Sequence, residues 1–234
     1  MSEIRQVFLD LGNVLVFHDD DVLCRRLSQF GGDPPDVIRQ RLLRLWEPCN
    51  RGTLAGDELR RVVCEASGAR TVMDRDEFVQ AWSCHFRIHH EVLPLVKSLL
   101  RLVPVALLSN TNEMHWKSVL PRLPLVQQFS DFILSYEVHL VKPEHEIFHT
   151  ALRRAGSSPE ACAFFDDIPD FVNAANQPLA LLFQGVDLDE VGVVQLLGDQ
   201  ELVLGLFQEF LVLGRGDGHD FQGVLLGVGA AADE

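Results

Sequence analysis

Positive charge is scarce in this chain. Lysine and arginine together number 20 against 34 acidic residues, which gives a formal net charge of −14. Only Lys97, Lys117 and Lys142 are lysines. A general nucleic-acid-binding protein needs a basic face, so the composition argues against that class. An acidic protein that binds an anion must create positive potential locally, with a metal ion, a lysine or helix N-termini.

Cysteine pairs and long apolar segments are also missing. Five scattered cysteines without a Cys-x-x-Cys pair give no sign of a zinc ribbon or a disulfide framework, and they predict a reducing, cytoplasmic environment. The apolar run that ends before Asp10 is too short for a signal peptide. The best candidate for a membrane span, residues 202–213, is short and contains Gln208 and Glu209. We therefore expect no membrane partner.

What is present is enough apolar sequence, 47% of 234 residues, for an α/β domain with a small second module. Between residues 19 and 90 the apolar residues follow helical spacing without an intervening strand, which predicts a separate helical module. From residue 91 onward, short apolar runs alternate with amphipathic segments. This alternation predicts a Rossmann-like parallel sheet with helices on both faces.

The predicted boundaries follow from these patterns. The α/β core takes residues 1–16 and 91–200, and an α-helical cap takes residues 17–90. An acidic, glycine-rich extension takes residues 201–234. Helices are predicted at 20–30, 35–46, 56–66, 74–86, 93–102, 112–120 and 144–155, and strands at 7–9, 103–108, 132–134, 161–165 and 179–183. The end of the chain is the most biased part, since residues 185–234 hold ten of the 17 glycines and ten acidic residues against one basic residue.

Three of the predicted strands end in polar residues. Asp10, Ser109-Asn110 and Asp166-Asp167 each follow an apolar run. In open α/β sheets the ligand binds beyond the carboxyl ends of the strands. Phosphoryl transfer through an aspartyl intermediate needs a carboxylate nucleophile, donors for phosphoryl oxygens, a cation and further carboxylates for a metal. With Lys142, the chain offers all four in order.

Four segments carry a family resemblance. They read Phe8-Leu9-Asp10-Leu11-Gly12-Asn13-Val14-Leu15, then Leu107-Leu108-Ser109-Asn110, then Ser135-Tyr136-Glu137-Val138 with Lys142-Pro143 and Ile147-Phe148, and finally Phe164-Phe165-Asp166-Asp167. Their order and spacing resemble the haloacid dehalogenase-like superfamily over about residues 5–185, in the subfamily whose first motif is Asp-x-Gly-Asn and which resembles sugar-phosphate phosphatases. Ser109 lies 99 positions after Asp10, which fits the family's habit of inserting a cap there, since a plain strand-helix-strand unit needs about 30 residues.

The resemblance implies a metal-assisted nucleophile. Asp10 would attack phosphorus and form an aspartyl-phosphate. The other oxygen of Asp10, the backbone carbonyl of Gly12 and the carboxylate of Asp167 would bind Mg²⁺. Asp166 would support the metal shell or its waters, and which member of the Asp166-Asp167 pair ligates directly stays open.

The resemblance also implies a phosphate-binding set. Ser109 and the backbone amide of Asn110 would hold the phosphoryl oxygens. Lys142 would bridge Asp10 and the acidic pair, which makes like charges tolerable in one pocket. The expected reaction is hydrolysis of a small phosphomonoester, a sugar phosphate or a similar metabolite.

Two positions depart from the family pattern. Many family phosphatases have a second aspartate, the general acid and base, where this chain has Gly12. Relatives with the Asp-Asp motif usually have asparagine where this chain has Phe171. These departures leave open a catalytically impaired phosphate-binding or regulatory protein. A 2-haloacid dehalogenase, which shares Asp10 as nucleophile but needs no metal, is a second alternative, against which the Asp166-Asp167 pair argues.

A zinc-protease interpretation and several weaker candidates remain. Residues 145–149 match His-Glu-x-x-His, but no convincing third ligand follows, and the segment falls in a predicted core helix. The pair His85 and His89 is predicted to lie on the cap surface. The candidates for the substrate-facing side of the cap are Trp46, Asn50 and Arg51, with His18 and Asp19 near the first hinge.

Overall fold

A computed structural model describes residues 4–176 of the chain. The predicted strand 179–183 and the extension 201–234 lie outside these residues. The strands are β1 (Gln6–Leu9), β2 (Val16–His18), β3 (Phe86–Ile88), β4 (Val105–Ser109), β5 (Asp131–Leu134) and β6 (Cys162–Phe165). The helices are α1 (Asp20–Gly31), α2 (Pro35–Leu42), α3 (Trp46–Asn50), α4 (Gly56–Ala66), α5 (Arg75–Ser83), α6 (Leu93–Leu99), α7 (Glu113–Val119), α8 (Ser135–Val138), α9 (His145–Ala155) and α10 (Pro169–Asn176).

The main sheet is parallel and runs in the order β5-β4-β1-β6. Successive side chains of a strand point to opposite faces, so β1 supplies both layers of the core. Val7 and Leu9 join the apolar cluster that includes α6 and α7 residues, whereas Phe8 joins the cluster with Ile147 and Phe148 of α9. A central parallel strand is covered on both faces, which is why all four residues of β1 are buried. The predicted Rossmann-like α/β fold is confirmed.

Helices α1 to α5, here called the helical unit, share an apolar cluster of their own. Its largest buried members are Trp82, Phe78, Leu23, Leu27, Ile38, Leu42 and Leu59. The side chain of Asp19 caps α1 by accepting hydrogen bonds from the amides of Asp21 and Val22. The boundaries of the cap, 17–90, stay a prediction.

Three details of the helical unit and its margins differ from the prediction. The helix predicted at 35–46 ends at Leu42, and a separate short helix begins at Trp46. The helix predicted at 74–86 ends at Ser83. The prediction of no strand in this region was wrong, because β2 and β3 pair antiparallel, with Val16 opposite Ile88 and His18 opposite Phe86. Strands of three residues are too short to show a period of two, so the sequence pattern does not reveal them.

Within residues 4–176, no helix combines the length and the apolar character that crossing a bilayer requires.

Candidate active site

Two carboxylates meet at the carboxyl edge of the sheet. Asp10 directly follows β1 and Asp166 directly follows β6, and these strands pair with Leu9 opposite Phe165. The amide of Asp10 donates a hydrogen bond of 2.9 Å to the carbonyl of Phe165. One oxygen each from Asp10, Asp166 and Asp167 lie within 4.8 Å of one another. The parallel register therefore brings together side chains that are 156 positions apart in the sequence.

Lys142 is the cation of this cluster. Its side chain is fully buried, and its Nζ lies 2.9 Å from Oδ1 of Asp10 and also donates to Oδ2 of Asp166. Burial alone would lower the pKa of Lys142, but the charges of Asp10 and Asp166 outweigh burial and raise it, so the lysine is a cation. Burial raises the pKa of Asp166, and the charge of Lys142 opposes that rise. The predicted lysine bridge is thus present in the geometry.

Phe171, one of the two departures from the family pattern, lies over the same lysine. The Nζ of Lys142 is 5.1 Å from the centroid of the Phe171 ring and 5.4 Å from that of Phe164. An aromatic face attracts a desolvated ammonium group by cation–π interaction. Phe171 therefore stabilises the buried charge instead of offering a polar ligand.

Asn110 holds the loop that carries Lys142. Its side-chain amide donates to the carbonyl of Lys142 at 2.9 Å, and its side-chain oxygen accepts from the amide of Lys142 at 2.8 Å. Next to it, the hydroxyl of Ser135 accepts from the amide of Thr111 at 2.9 Å and donates to its carbonyl at 3.0 Å. Ser109, the last residue of β4, is buried. Hydrogen bonds therefore join the loops after β4 and β5. The sequence patterns did not predict this arrangement.

Asn13 belongs to the first motif, and the structure shows what it contacts. Its side-chain amide donates to Oδ2 of Asp167 at 2.8 Å. Its backbone is left-handed, with φ of 50°, and its amide donates to the carbonyl of Val16 at 2.7 Å. Burial raises the pKa of Asp167, against the hydrogen bond from Asn13, which lowers it. The turn after β1 thus directs Asn13 at the acidic pair.

A cavity of about 790 Å³ opens beside this turn. Its lining includes Asn13, His18 and Asp19, so both hinge candidates from the sequence lie there. The carboxylate of Asp20, whose Oδ1 lies 3.8 Å from Nδ1 of His18, raises the pKa of His18. His85, on the same lining, is buried, and burial lowers its pKa from 6.5 to about 4. The prediction that His85 and His89 lie on the cap surface was wrong, because both side chains are buried.

The residues predicted for the substrate-facing side of the cap are not in the lining of this cavity; they are Trp46, Asn50 and Arg51. Trp46 packs on Trp82, with ring centroids 5.5 Å apart. Arg51 pairs with Glu144, two residues after Lys142, and donates to the carbonyl of His139 at 3.3 Å. Among the residues that the structure describes, neither histidine pair joins a group of three metal-capable side chains, since the one such group is Asp10, Asp166 and Asp167. Within residues 4–176, the zinc-protease interpretation therefore has no third ligand.

Comparison with known proteins gives consistent results. The chain is 27% identical over 174 residues to a D-ribitol-5-phosphate phosphatase from Bacteroides thetaiotaomicron, which covers 70% of this chain and 83% of the relative. A solved structure of a haloacid dehalogenase family enzyme from the same organism, in complex with magnesium and inorganic phosphate, superimposes with a TM-score of 0.66 at 28% identity and covers 74% of this chain and 89% of that one. The fold is shared with an L-2-haloacid dehalogenase from Xanthobacter autotrophicus, which superimposes with a TM-score of 0.53 at 18% identity. The match covers 74% of this chain and 73% of that one.

A protein-family model matches most of the chain. The model described as haloacid dehalogenase-like hydrolase matches residues 4–177, which contain every site residue discussed above. The chain belongs to the haloacid dehalogenase-like hydrolase family.

Proposed function

We propose that this haloacid dehalogenase-like phosphatase hydrolyses small phosphomonoesters with Mg²⁺, through a phosphoryl group carried transiently on Asp10. The observation that supports it most directly is the cluster of Asp10, Asp166 and Asp167 around a buried Lys142 at the carboxyl edge of the sheet. The positive charge of Lys142 lies 2.9 Å from Asp10, the carboxylate that would attack phosphorus.

The donor set fits Mg²⁺. It consists of Asp10, Asp167 and the backbone carbonyl of Gly12, with Asp166 as a direct or indirect support. These are oxygen ligands, which Mg²⁺ prefers, and one oxygen of each of the three carboxylates lies within 4.8 Å of the other two. When bound, the ion neutralises negative charge on the phosphoryl oxygens.

Side chains and backbone groups of the protein carry out the attack and bind the phosphoryl group. One Asp10 oxygen attacks phosphorus, and the P–O ester bond breaks. Ser109, the amide of Asn110 and Lys142 hold the phosphoryl oxygens. Attack of water on the phosphorus of the aspartyl-phosphate then frees inorganic phosphate and regenerates the carboxylate. Because Asn110 also fixes the backbone of Lys142, the phosphate donors and the cation move as one piece.

Substrate choice belongs to the cavity and the helical unit. We assign residues 17–90 as a cap whose inner face limits the leaving group and excludes water. The similarity to a D-ribitol-5-phosphate phosphatase supports a sugar or polyol phosphate. The five cysteines are all free thiols, which fits the proposed cytoplasmic location.

The test is hydrolysis of a panel of phosphate esters, including sugar and polyol phosphates, with Mg²⁺ or with EDTA. Phosphate release is expected with Mg²⁺ alone, and Asp10→Asn is expected to abolish it while the protein stays folded. Asp57→Asn is the matched control, because this aspartate is 80% exposed on α4, and it should keep full activity. Asp167→Ala should shift the Mg²⁺ titration or eliminate activity.

Two results would contradict the proposal. Full activity of Asp10→Asn would exclude Asp10 as the nucleophile, and an unchanged Mg²⁺ titration of Asp167→Ala would exclude Asp167 as a ligand. Stoichiometric binding of vanadate or another phosphate analogue without turnover of any ester would instead favour the phosphate-binding or regulatory alternative, to which Gly12 points.

A further inference from the structure

We propose that His18 is the proton donor and acceptor of the reaction, in place of the acid that position 12 lacks. This inference rests on the proposed function and names a further catalytic residue of the same site. Nothing in the first motif itself supplies the proton, since residue 12 is glycine. A leaving alkoxide without a proton donor departs slowly, so some group near Asp10 must serve.

The geometry around Gly12 identifies that group. A Cβ atom placed on Gly12 would lie 3.3 Å from Cδ2 and 3.5 Å from Nε2 of the His18 ring, and 3.6 Å from Oδ2 of Asp10. The imidazole and the proposed nucleophile therefore flank the same point, where a side chain at position 12 would begin. The His18 ring borders the space that an aspartate would use, and that space lies beside Oδ2 of Asp10.

The strand pair that the sequence did not reveal puts His18 there. His18 is the last residue of β2 and lies opposite Phe86 of β3. Its Nδ1 is 3.8 Å from Oδ1 of Asp20, at the start of α1, so this carboxylate orients the ring. Nε2 lies 3.4 Å from the side-chain nitrogen of Asn13, which donates to it when the ring is neutral, the state in which His18 takes up a proton. The exposed fraction of the His18 side chain is 40%, so a bound ester can reach it.

The residues around His18 line a cavity that could hold the alcohol part of a phosphate ester. Its ring meets that of His85 edge to face, with centroids 6.4 Å apart. Asp19, Asp20 and Phe86 line the same cavity of about 790 Å³. The cavity thus begins at Asn13, whose side chain contacts Asp167, and continues past His18, which is where the alcohol part of a phosphate ester would lie.

The proton count closes over the two steps. In the first, Asp10 forms a bond to phosphorus, the ester P–O bond breaks, and protonated His18 gives its Nε2 proton to the departing oxygen, which leaves as an alcohol. In the second, neutral His18 takes a proton from the water that attacks the aspartyl-phosphate. The phosphorus–Asp10 bond breaks, inorganic phosphate leaves, and His18 is again protonated.

The test compares two leaving groups in one protein. p-Nitrophenyl phosphate releases a stabilised phenolate that needs no proton, whereas the best alkyl ester of the panel releases an alkoxide that does. His18→Gln should lower kcat/KM for the alkyl ester by about 10²–10⁴-fold. It should leave kcat/KM for the aryl ester nearly unchanged, because kcat/KM covers only the steps up to departure of the leaving group. The aryl rate reports that the variant is folded and can bind phosphate. His90→Gln is the matched control, since His90 is exposed outside the cavity lining, and it should alter neither rate.

A second variant tests whether a carboxylate at position 12 can replace the imidazole of His18. In the double variant Gly12→Asp/His18→Ala the new carboxylate gains the space that the imidazole vacates, and hydrolysis of the alkyl ester should recover relative to His18→Ala. Equal losses for the two esters in His18→Gln, or no loss for either, would overturn the assignment while the proposed function stands. Absence of Mg²⁺-dependent hydrolysis of any ester by the unaltered protein would overturn both.

Discussion

Replacing Lys142 by methionine should destabilise the protein severely, because it leaves two buried carboxylates without their counter-charge. The side chains of Lys142 and Asp166 are fully buried and that of Asp10 is 9% exposed. Methionine matches the length of the lysine stem, so the cavity term is small and the electrostatic term dominates. Removing one partner of a buried ion pair costs about 3–5 kcal/mol of the free energy of unfolding.

The assay is urea denaturation in EDTA near neutral pH, with two further variants. Lys117→Met is the matched control, because Lys117 is 68% exposed and pairs with Glu113 on the surface of α7, and it should cost less than about 0.5 kcal/mol. The double variant Lys142→Met/Asp166→Asn removes one of the stranded charges and should recover part of the loss.

The pH dependence has a definite sign. Burial raises the pKa of Asp166, so without the lysine its ionised form costs stability above the unfolded-state pKa. The loss in Lys142→Met should therefore shrink as the pH falls. A Lys142→Met protein as stable as Lys117→Met, or one whose deficit grows on acidification, would refute this account of the cluster.

Two further predictions concern the fold around the site. Gly52 has φ of +71°, and a Cβ there would lie 2.5 Å from the carbonyl oxygen of Tyr136, so Gly52→Ala should cost about 2–3 kcal/mol in urea denaturation. Gly32→Ala, with φ of +92° and no atom within 4 Å, should cost about 1 kcal/mol, and equal costs would contradict the clash. His85 binds its proton more weakly in the folded state, at a pKa of about 4 against 6.5, so stability should fall as the pH drops below about 6.5. His85→Phe should remove about 2 kcal/mol of the loss between about pH 7 and pH 5, and an unchanged pH dependence would count against the burial of this histidine.

Sequence patterns predicted the strand ends well, for a physical reason. Short apolar runs that stop at Asp10, Ser109 and Asp166 identify buried parallel strands, and such strands have their carboxyl ends at one edge of the sheet. The family resemblance also predicted the lysine bridge, because Lys142 belongs to the third motif and like charges in one pocket are tolerable only beside a cation.

Contacts between distant segments could not be predicted in the same way. The role of His18 depends on the pairing of β2 with β3, whose strands are three residues long and 68 positions apart. Phe171 departs from a sequence pattern, but only its distance to Lys142 shows that it covers a charge. Asn110 was expected to act through its backbone amide, and periodicity carries no information about the side chain that holds the Lys142 loop.

The charges of the acidic cluster also bear on the order in which ligands enter. When ionised, Asp10, Asp166 and Asp167 carry three negative charges against the one positive charge of Lys142, a deficit that a single divalent ion would cancel. A phosphate ester dianion approaching the metal-free pocket would meet net repulsion at close range. In the proposed reaction the metal therefore binds first and the ester second, and the free phosphate leaves before the metal, so initial rates at limiting Mg²⁺ should follow a compulsory-order rate law.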